Sequence, residues 1–348
     1  MCPPPPLLPI AFLPQLVKVF ALSSFIVMLF STILSALAGV SLAFAAPNLV
    51  KRQSNATAPA PSAINDTQVL QYAMFLELLE HHFYDQYLWQ FDEAAFAAAG
   101  YPSWVRGRFE QLSEHEATHV EFLGGALGSQ ALQSCEYSFP VTDPQSFVAV
   151  SMALETTGMS AYMGAAALLS DKNTLTAATT ILAVEARQAA WVSSAVLKNE
   201  PWDGPFETPL GPNAIFSVAS QFVVSCPSSN PPLPVVNLTA LTVSPAAPAL
   251  GSQITLNFTQ PANVGNSTLY LAFLRGQNPE FSPITDSGNG TFTAIVPPNL
   301  QGTIWATVVT NNTIAATADG NILTGLAMLE FPFNSQANNN VTTIPSYA

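Results

Sequence analysis

The chain has 348 residues, of which 49% are hydrophobic and only 9% are charged, and its formal net charge is −13. This length is enough for two ordinary domains, and a charge this negative excludes nucleic acid as a partner. The acidic residues are unevenly placed, because positions 64–200 hold 16 of the 22. We therefore expect two regions of different character in one chain.

The N-terminal segment has the pattern of an export signal. An uncharged apolar run extends from Val19 to Ala46 and ends in small residues at alternate positions. This pattern predicts a signal peptide over residues 1–46, with cleavage near Ala45 or Ala46. The run is long for a signal peptide, so retention as an uncleaved membrane anchor is the alternative.

Residues 47–63 are rich in Ala, Pro, Ser and Asn, which predicts a disordered leader. Lys51-Arg52 within it forms a dibasic pair, a pattern typical of a processing site. Asn-x-Ser/Thr sequons, which accept glycans in the secretory pathway, support export. The eight sequons begin at Asn55, Asn65, Asn237, Asn257, Asn266, Asn289, Asn311 and Asn340.

Cysteine usage agrees with export. Loss of the signal peptide would remove Cys2 and leave Cys135 and Cys226. An even pair in an oxidising compartment predicts one disulfide, and two buried free thiols are the alternative. The sequence therefore predicts a glycoprotein that is secreted or held at the cell surface or cell wall.

Helical periodicity starts at Asp66, which we predict as a helix cap. Four long helices are predicted, from Asp66 to about Phe91, from a Ser103 cap to about Leu127, from Asp143 to about Ser170, and from about Thr174 to about Lys198. Four long helices with short or moderate connections predict an all-α antiparallel bundle. A proline-rich extension carries a short helix within Asn213–Val224, so the bundle region is predicted as residues 64–228, with a linker at 229–235.

From Val236 the hydrophobic period changes to two. Leu238–Val243, Gln253–Phe258 and Thr303–Val308 are alternating, β-branched runs, and six or seven such runs fit before Phe333. We therefore predict an all-β antiparallel sandwich at 236–334, immunoglobulin-like in architecture and without an internal disulfide. The polar tail, residues 335–348, is predicted to be disordered and lacks the apolar segment of a lipid-anchor signal.

The predicted helices carry the side chains of a di-metal site. Such sites in bundles use one Glu from each of two helices and a Glu-x-x-His pair from each of the other two, because a spacing of three places both ligands on one face. The four helices offer, in order, Glu77, then Glu116 with His119, then Glu155, and then Glu185 with Gln188. Glu155 and Glu185 lie in apolar stretches, where an ionised carboxylate is costly unless it is paired or bound to a metal. For either Glu alone, a solvated helix face is the equal alternative.

Three segments carry a resemblance to a known family: Leu76–Tyr84, Glu114–Leu123 and Val184–Trp191. They resemble the ferritin-like domain of fungal stress-response proteins and plant desiccation-related proteins, over residues 66–200. The resemblance implies a ferritin-like four-helix bundle, linked to stress or desiccation, that binds one or two iron or manganese ions, with Tyr84 near the metals. The ligands that it implies are Glu77, Glu116, His119, Glu155 and Glu185.

Gln188 stands where many relatives have the second histidine. A neutral amide is a poorer ligand, so the second metal is expected to bind weakly or not at all, although some ferritin sites work with a glutamine near this place. His115-Glu116-x-x-His119 also matches the zinc-peptidase signature. That alternative needs a third ligand, and no histidine follows His119.

Several further side chains receive less specific predictions. His81 lies four residues after Glu77 and is either an accessory ligand or, as we favour, a solvent-side or hydrogen-bonded histidine. Solvated helix faces are predicted for Glu80, Glu110, Glu114 and Glu121. Core positions are predicted for Trp104, Trp191 and Tyr162.

Two functional hypotheses follow from the sequence. In the first, a secreted or cell-surface ferritin-like protein binds metal, and its enzymatic capacity is at most that of a di-metal oxidase-like site. In the second, the protein is a non-catalytic wall or surface scaffold with a degenerate metal site, whose β region contacts cell-wall polysaccharide or surface proteins. A membrane is expected as a partner only if the N-terminal segment stays uncleaved.

Overall fold

The computed structural model describes residues 64–261, 264, 268–288 and 291–335. The predicted signal peptide, leader and dibasic site lie outside these residues, as do all but the first residue of the predicted tail. The sequons at Asn55, Asn266, Asn289 and Asn340 also lie outside them. In the described part of the chain, no helix combines the length and apolarity that crossing a membrane requires.

Six α-helices form the first half of the described chain. They are α1 (Asp66–Gln90), α2 (Glu93–Ala98), α3 (Trp104–Leu127), α4 (Pro144–Ala165), α5 (Lys172–Trp191) and α6 (Pro212–Ala219). The long helices α1, α3, α4 and α5 are the four that the sequence predicts, and α1 packs against α3 while α4 packs against α5. The short helix α2 was not predicted.

The helix caps differ in part from the prediction. Asn65, rather than Asp66, caps α1 in a reciprocal capping box with Gln68. The carboxylate of Asp66 instead accepts hydrogen bonds from the Ser170 and Asp171 backbone amides, which ties α1 to the start of α5. Ser103 occupies the N-cap position of α3, as predicted, but its side chain makes no capping hydrogen bond. Asp143 caps α4 as expected.

A two-stranded sheet and one disulfide fasten the extension to the bundle. Strand β1 (Glu136–Tyr137) pairs with β2 (Val223–Ser225) in antiparallel fashion. The predicted disulfide is confirmed, because Cys135 and Cys226 are bonded directly beside this pair. The extension that follows α5 is therefore held against the loop between α3 and α4.

The remaining strands form a β-sandwich, as predicted. They are β3 (Thr242–Ser244), β4 (Gln253–Asn257), β5 (Tyr270–Leu274), β6 (Glu280–Pro283), β7 (Thr285–Asp286), β8 (Phe292–Ile295), β9 (Gly302–Val309) and β10 (Ala327–Phe331). One sheet has the order β3-β4-β8-β7 and the other β10-β9-β5-β6, all antiparallel. This order is that of an immunoglobulin-like sandwich. The apolar core between the sheets contains Ile254, Leu256, Phe273 and Ile304.

Strand β9 joins the sandwich to the helices. All eight of its residues are buried, although alternation in a strand places neighbours on opposite faces. Ile304, Ala306 and Val308 face the sandwich core, whereas Trp305 and Val309 belong to the apolar cluster of the bundle. The bundle and the sandwich therefore share a continuous hydrophobic contact.

Polar and close contacts hold the extension that follows α5 between the bundle and the sandwich. The carboxylate of Asp319 accepts hydrogen bonds from the backbone amides of Asn213 (3.0 Å) and Ala214 (2.9 Å), so a residue of the β region caps the N-terminus of α6. Gly164 of α4 lies directly against the Leu210 carbonyl, which a Cβ at position 164 would overlap. The Leu210 amide donates to the Ser160 carbonyl at 3.1 Å.

A cluster of carboxylates lies in a cavity between α4, α5 and the sandwich, comprising Glu200, Asp203, Glu207 and Glu330. Asp203 accepts a 2.7 Å hydrogen bond from the Thr303 amide, and the Thr303 hydroxyl donates to Glu330 at 3.1 Å. Burial, and then the charge of Glu207, raises the pKa of Asp203 to about 8. Burial raises the pKa of Glu330 to about 7.

These raised pKa values predict that the metal-free protein loses stability as the pH rises. Since the folded state binds protons more tightly than the unfolded state, the free energy of unfolding should fall between about pH 5 and about pH 8. The Asp203→Asn variant keeps the acceptor for Thr303 and should lose about 1 kcal/mol or more of this pH dependence. Urea unfolding at several pH values, in the presence of a chelator, measures the slope.

Glu121→Gln is the matched control, because Glu121 is exposed. Its slope should equal that of the wild type. An Asp203→Asn slope that also equals the wild type would contradict a role for this cluster in pH-dependent stability.

Candidate metal centre

Four helices bring buried carboxylates to the middle of the bundle. Glu77 comes from α1, Glu116 from α3, Glu155 from α4 and Glu185 from α5, and each is no more than 1% exposed. Their spacing along the helices aligns them with the apolar face that forms the core, which is why all four point inward. Carboxylates are almost never buried to this extent unless they are paired or bound to a cation.

His119 lies among three of these carboxylates. Its Nδ1 atom is 3.0 Å from Glu116 Oε2, 3.1 Å from Glu77 Oε2 and 3.5 Å from Glu185 Oε1. One ligand atom from each of the four side chains fits within 4.8 Å of all the others. This set of three carboxylates and one imidazole suits a transition-metal ion.

Glu155 and Gln188 lie at the edge of this group. Gln188 is buried, and its amide nitrogen donates to Glu116 Oε1 at 2.6 Å. Glu155 accepts a hydrogen bond from the Tyr84 hydroxyl, which is also 2.8 Å from Ser151 Oγ. All six residues predicted for the site therefore lie in one buried region, with Tyr84 beside them.

Two tyrosines orient the carboxylates in a reciprocal way. Tyr84 follows Glu77 by seven residues on α1 and donates to Glu155 on α4. Tyr162 follows Glu155 by seven residues on α4 and donates to Glu77 on α1. Tyr162 is buried in the core, as predicted, but its hydrogen bond to the site through Glu77 was not predicted. The repeated spacing of seven was the signal in the sequence that pointed to its role.

Burial and mutual repulsion keep protons in this centre when no metal is bound. Burial raises the pKa of Glu116 to about 7, and burial together with the charge of Glu116 raises the pKa values of Glu155 and Glu185 well above their usual range. Burial lowers the pKa of His119, but its hydrogen bonds to Glu116 and Glu77 outweigh this and raise the pKa to about 10. Metal binding must therefore displace protons, His119's among them.

Several polar atoms of the centre have no hydrogen-bond partner among the described residues. They are both carboxylate oxygens of Glu185, Oε2 of Glu155 and Oε1 of Gln188, all of which are buried. An unsatisfied buried charged oxygen costs several kcal/mol. Each of these oxygens can act as a metal ligand, and no hydrogen bond from the described residues satisfies it. The residues present therefore fit a bound metal.

The other residues considered in the sequence analysis lie outside the metal centre or at its edge. His115 is exposed while Glu116 and His119 face inward, so the geometry gives no support to a zinc-peptidase site. His81 is half-buried and lies outside the metal-binding group. Glu110, Glu114 and Glu121 are exposed as predicted, but Glu80 is only 4% exposed, so its prediction as a solvated residue was wrong. Trp104, predicted in the core, is exposed.

Comparison with known proteins agrees with this geometry. A family model described as a ferritin-like domain matches residues 65–198, the segment that contains every residue of the centre. This segment is therefore similar to ferritin-like domains. The match covers the helices that supply Glu77, Glu116, Glu155 and Glu185, and it ends before the β-sandwich begins.

A curated relative of the chain comes from a fungus. The chain is 27% identical over 177 residues to Protein rds1 of Schizosaccharomyces pombe, an alignment that covers 51% of the chain. The chain spans less than half the length of that relative, since the alignment covers 44% of it. Together with the family match, this relative supports the predicted resemblance to fungal ferritin-like proteins.

Proposed function

We propose that the ferritin-like domain binds one or two iron or manganese ions and belongs to an exported glycoprotein that acts in stress or desiccation tolerance. The observation that carries the metal proposal is Glu185, beside Glu77, Glu116 and His119. Its two carboxylate oxygens are fully buried and find no hydrogen-bond partner in the part of the chain that the structure describes. The stress or desiccation role rests on the resemblance alone.

The chain supplies a binding site that orients its ligands and excludes water. Glu77, Glu116, His119 and Glu185 would hold one ion, and Glu155 is available for another. Tyr84 and Tyr162 fix the carboxylates of Glu155 and Glu77 through their hydroxyls. Iron or manganese bound there supplies electron-transfer chemistry toward dioxygen or peroxide, which would make the centre oxidase-like.

Export is supported by the disulfide and by the surface position of sequons. Asn65, Asn237, Asn257 and Asn311 are all exposed, so each is accessible to a glycan. The bond between Cys135 and Cys226 fits an oxidising compartment. A secreted, cell-surface or cell-wall location is therefore part of the proposal.

A second candidate function is a metal-free scaffold, and the contact of Gln188 favours it. The amide of Gln188 donates to Glu116 at 2.6 Å and so occupies an oxygen that a metal would otherwise use. In this case protons and hydrogen bonds neutralise the carboxylates, and the sandwich contacts cell-wall polysaccharide or surface proteins.

Metal analysis of protein purified from the medium or wall of its native host distinguishes the two. The metal-binding function predicts one or two iron or manganese atoms per chain. Glu116→Ala and Glu155→Ala should each lose at least one atom, and the exposed Glu114→Gln should lose none. A wild-type protein that is metal-free, and gains no thermal stability from either metal, would contradict the proposal and leave the scaffold function.

A further inference from the structure

Glu80 is a fifth buried carboxylate in the bundle, and neither the family pattern nor the predicted ligand set accounts for it. It lies one turn after Glu77 on α1 and therefore on the same inward face. Its side chain is as enclosed as those of the predicted ligands, with only 4% of the residue exposed. Burying an ionised carboxylate costs several kcal/mol, so its position requires a partner.

Gly158 shows where the Glu80 carboxylate points. A Cβ atom at position 158 would lie 2.9 Å from Glu80 Oε1 and 2.6 Å from Glu185 Oε2, so only glycine leaves room for both oxygens. Gly158 itself lies one turn after Glu155 on α4, and Glu155 Oε2 is buried with no hydrogen-bond partner among the residues described. The carboxylates of Glu80 and Glu185 thus meet beside one glycine, one helical turn from Glu155.

The centre has two halves, one from α1 and α3 and the other from α4 and α5, whose residues have similar spacings. Helix α1 carries Glu77 and Tyr84, and α4 carries Glu155 and Tyr162, in each case seven residues apart. The two halves differ at two positions. Gln188 of α5 stands where α3 has His119, and Gly158 of α4 stands where α1 has Glu80. Both departures fall in the half of the centre that contains Glu155.

Glu80 and Glu155 have no cationic partner within the described residues. His119 contacts Glu77, Glu116 and Glu185, and no ion pair joins Glu80 or Glu155 to any basic side chain there. Gln188 offers only a neutral amide. A cluster of carboxylates in a dry interior, with oxygens that lack hydrogen-bond partners, is what a hard divalent cation neutralises.

We propose that Glu80, Glu155 and Glu185 form a second, all-oxygen cation subsite, in which Glu80 replaces the histidine that α5 lacks. This inference rests on the proposed metal-binding function. The two subsites then differ in chemistry, because the first includes the His119 nitrogen and the second has only oxygen ligands. Oxygen-only sites favour manganese, magnesium or calcium over softer metals. Glu185 belongs to both subsites and links the two ions.

Manganese(II) binding to the purified full-length protein tests this subsite. Metal content after dialysis gives the stoichiometry, and electron paramagnetic resonance distinguishes a coupled pair from a single ion. The wild type should bind two Mn²⁺ per chain with a coupled spectrum. Glu80→Gln should bind one, with the six-line spectrum of an isolated ion, and Gly158→Ala should do the same because its methyl group displaces the carboxylates.

The exposed Glu114→Gln is the matched control and should keep both ions. Circular dichroism checks folding, and metal-free Glu80→Gln should be at least as stable as the wild type since it removes a buried like charge. If Gly158→Ala does not fold, Glu80→Gln carries the test. The second subsite would be contradicted if folded Glu80→Gln bound two ions or none, or if the wild type bound only one. Each of these results would leave the proposed metal binding intact. A wild type that binds no ion would overturn both proposals.

Discussion

Chelation of bound metal is expected to lower the melting temperature of the protein by about 5–15 °C. A ligand present at 100 to 1,000 times its dissociation constant stabilises the folded state by about 3–4 kcal/mol per ion, which corresponds to several degrees for a protein of this size. The effect arises because the metal relieves the repulsion between the buried carboxylates of Glu77, Glu116 and Glu185. Calorimetry with EDTA and with added Mn²⁺ measures the shift.

Relative to the wild type, the Glu185→Gln variant should have a higher melting temperature without metal and a lower one with metal. Without metal it should melt at a higher temperature than the wild type, because the substitution removes a buried carboxylate whose two oxygens have no hydrogen-bond partner in the described part of the chain. Added metal should raise the melting temperature of this variant little, because Glu185 would contact both ions. Glu121→Gln, at an exposed site, should behave like the wild type. A Glu185→Gln variant that is destabilised without metal and still responds to Mn²⁺ would contradict this account of the centre.

Loss of the disulfide is expected to cost about 4–5 kcal/mol of stability. Cys135 and Cys226 are separated by 91 residues, and closing a loop of that size restricts the unfolded chain by about this amount. The double variant Cys135→Ser, Cys226→Ser should therefore unfold at a clearly lower urea concentration. Because the bond lies at β1 and β2 and not in the metal centre, its metal content should stay at the wild-type level.

Ser228→Ala, next to the disulfide in an exposed segment, is the control for local disturbance and should change stability by less than about 0.5 kcal/mol. If the double serine variant loses less than about 1 kcal/mol, the β1–β2 pair and the stacking of Phe139 on Phe222 would suffice to hold the extension. The bond would then have little thermodynamic role.

The parts of the centre that follow from local spacing were predictable. The intervals Glu116-x-x-His119 and Glu185-x-x-Gln188 specify one helix face, and a helix repeats the same geometry wherever it occurs. The same holds for strand alternation, from which the sandwich was predicted. Among the described residues the sandwich has eight strands where six or seven were expected, because short strands such as β7 leave too little pattern to recognise.

Features that depend on two distant segments were not predictable. Glu80 resembles a solvated residue in its own helix, and its burial depends on Gly158 in α4, a contact that no local pattern encodes. The spacing of seven between Glu155 and Tyr162 is visible in the sequence, but the contact of Tyr162 with Glu77 follows only once α1 and α4 are known to face each other. The full burial of β9 depends on its outer face meeting the helices, whereas its alternating sequence is equally typical of a strand with one face in solvent.

Anomalous diffraction from crystals grown with Mn²⁺ tests the central claim most directly. Data collected above and below the manganese edge locate the metal independently of the protein atoms. The account predicts one peak among Glu77, Glu116, His119 and Glu185, and a second among Glu80, Glu155 and Glu185. Crystals of a well-ordered bundle without an anomalous peak near Glu185, at saturating Mn²⁺ and neutral pH, would contradict it.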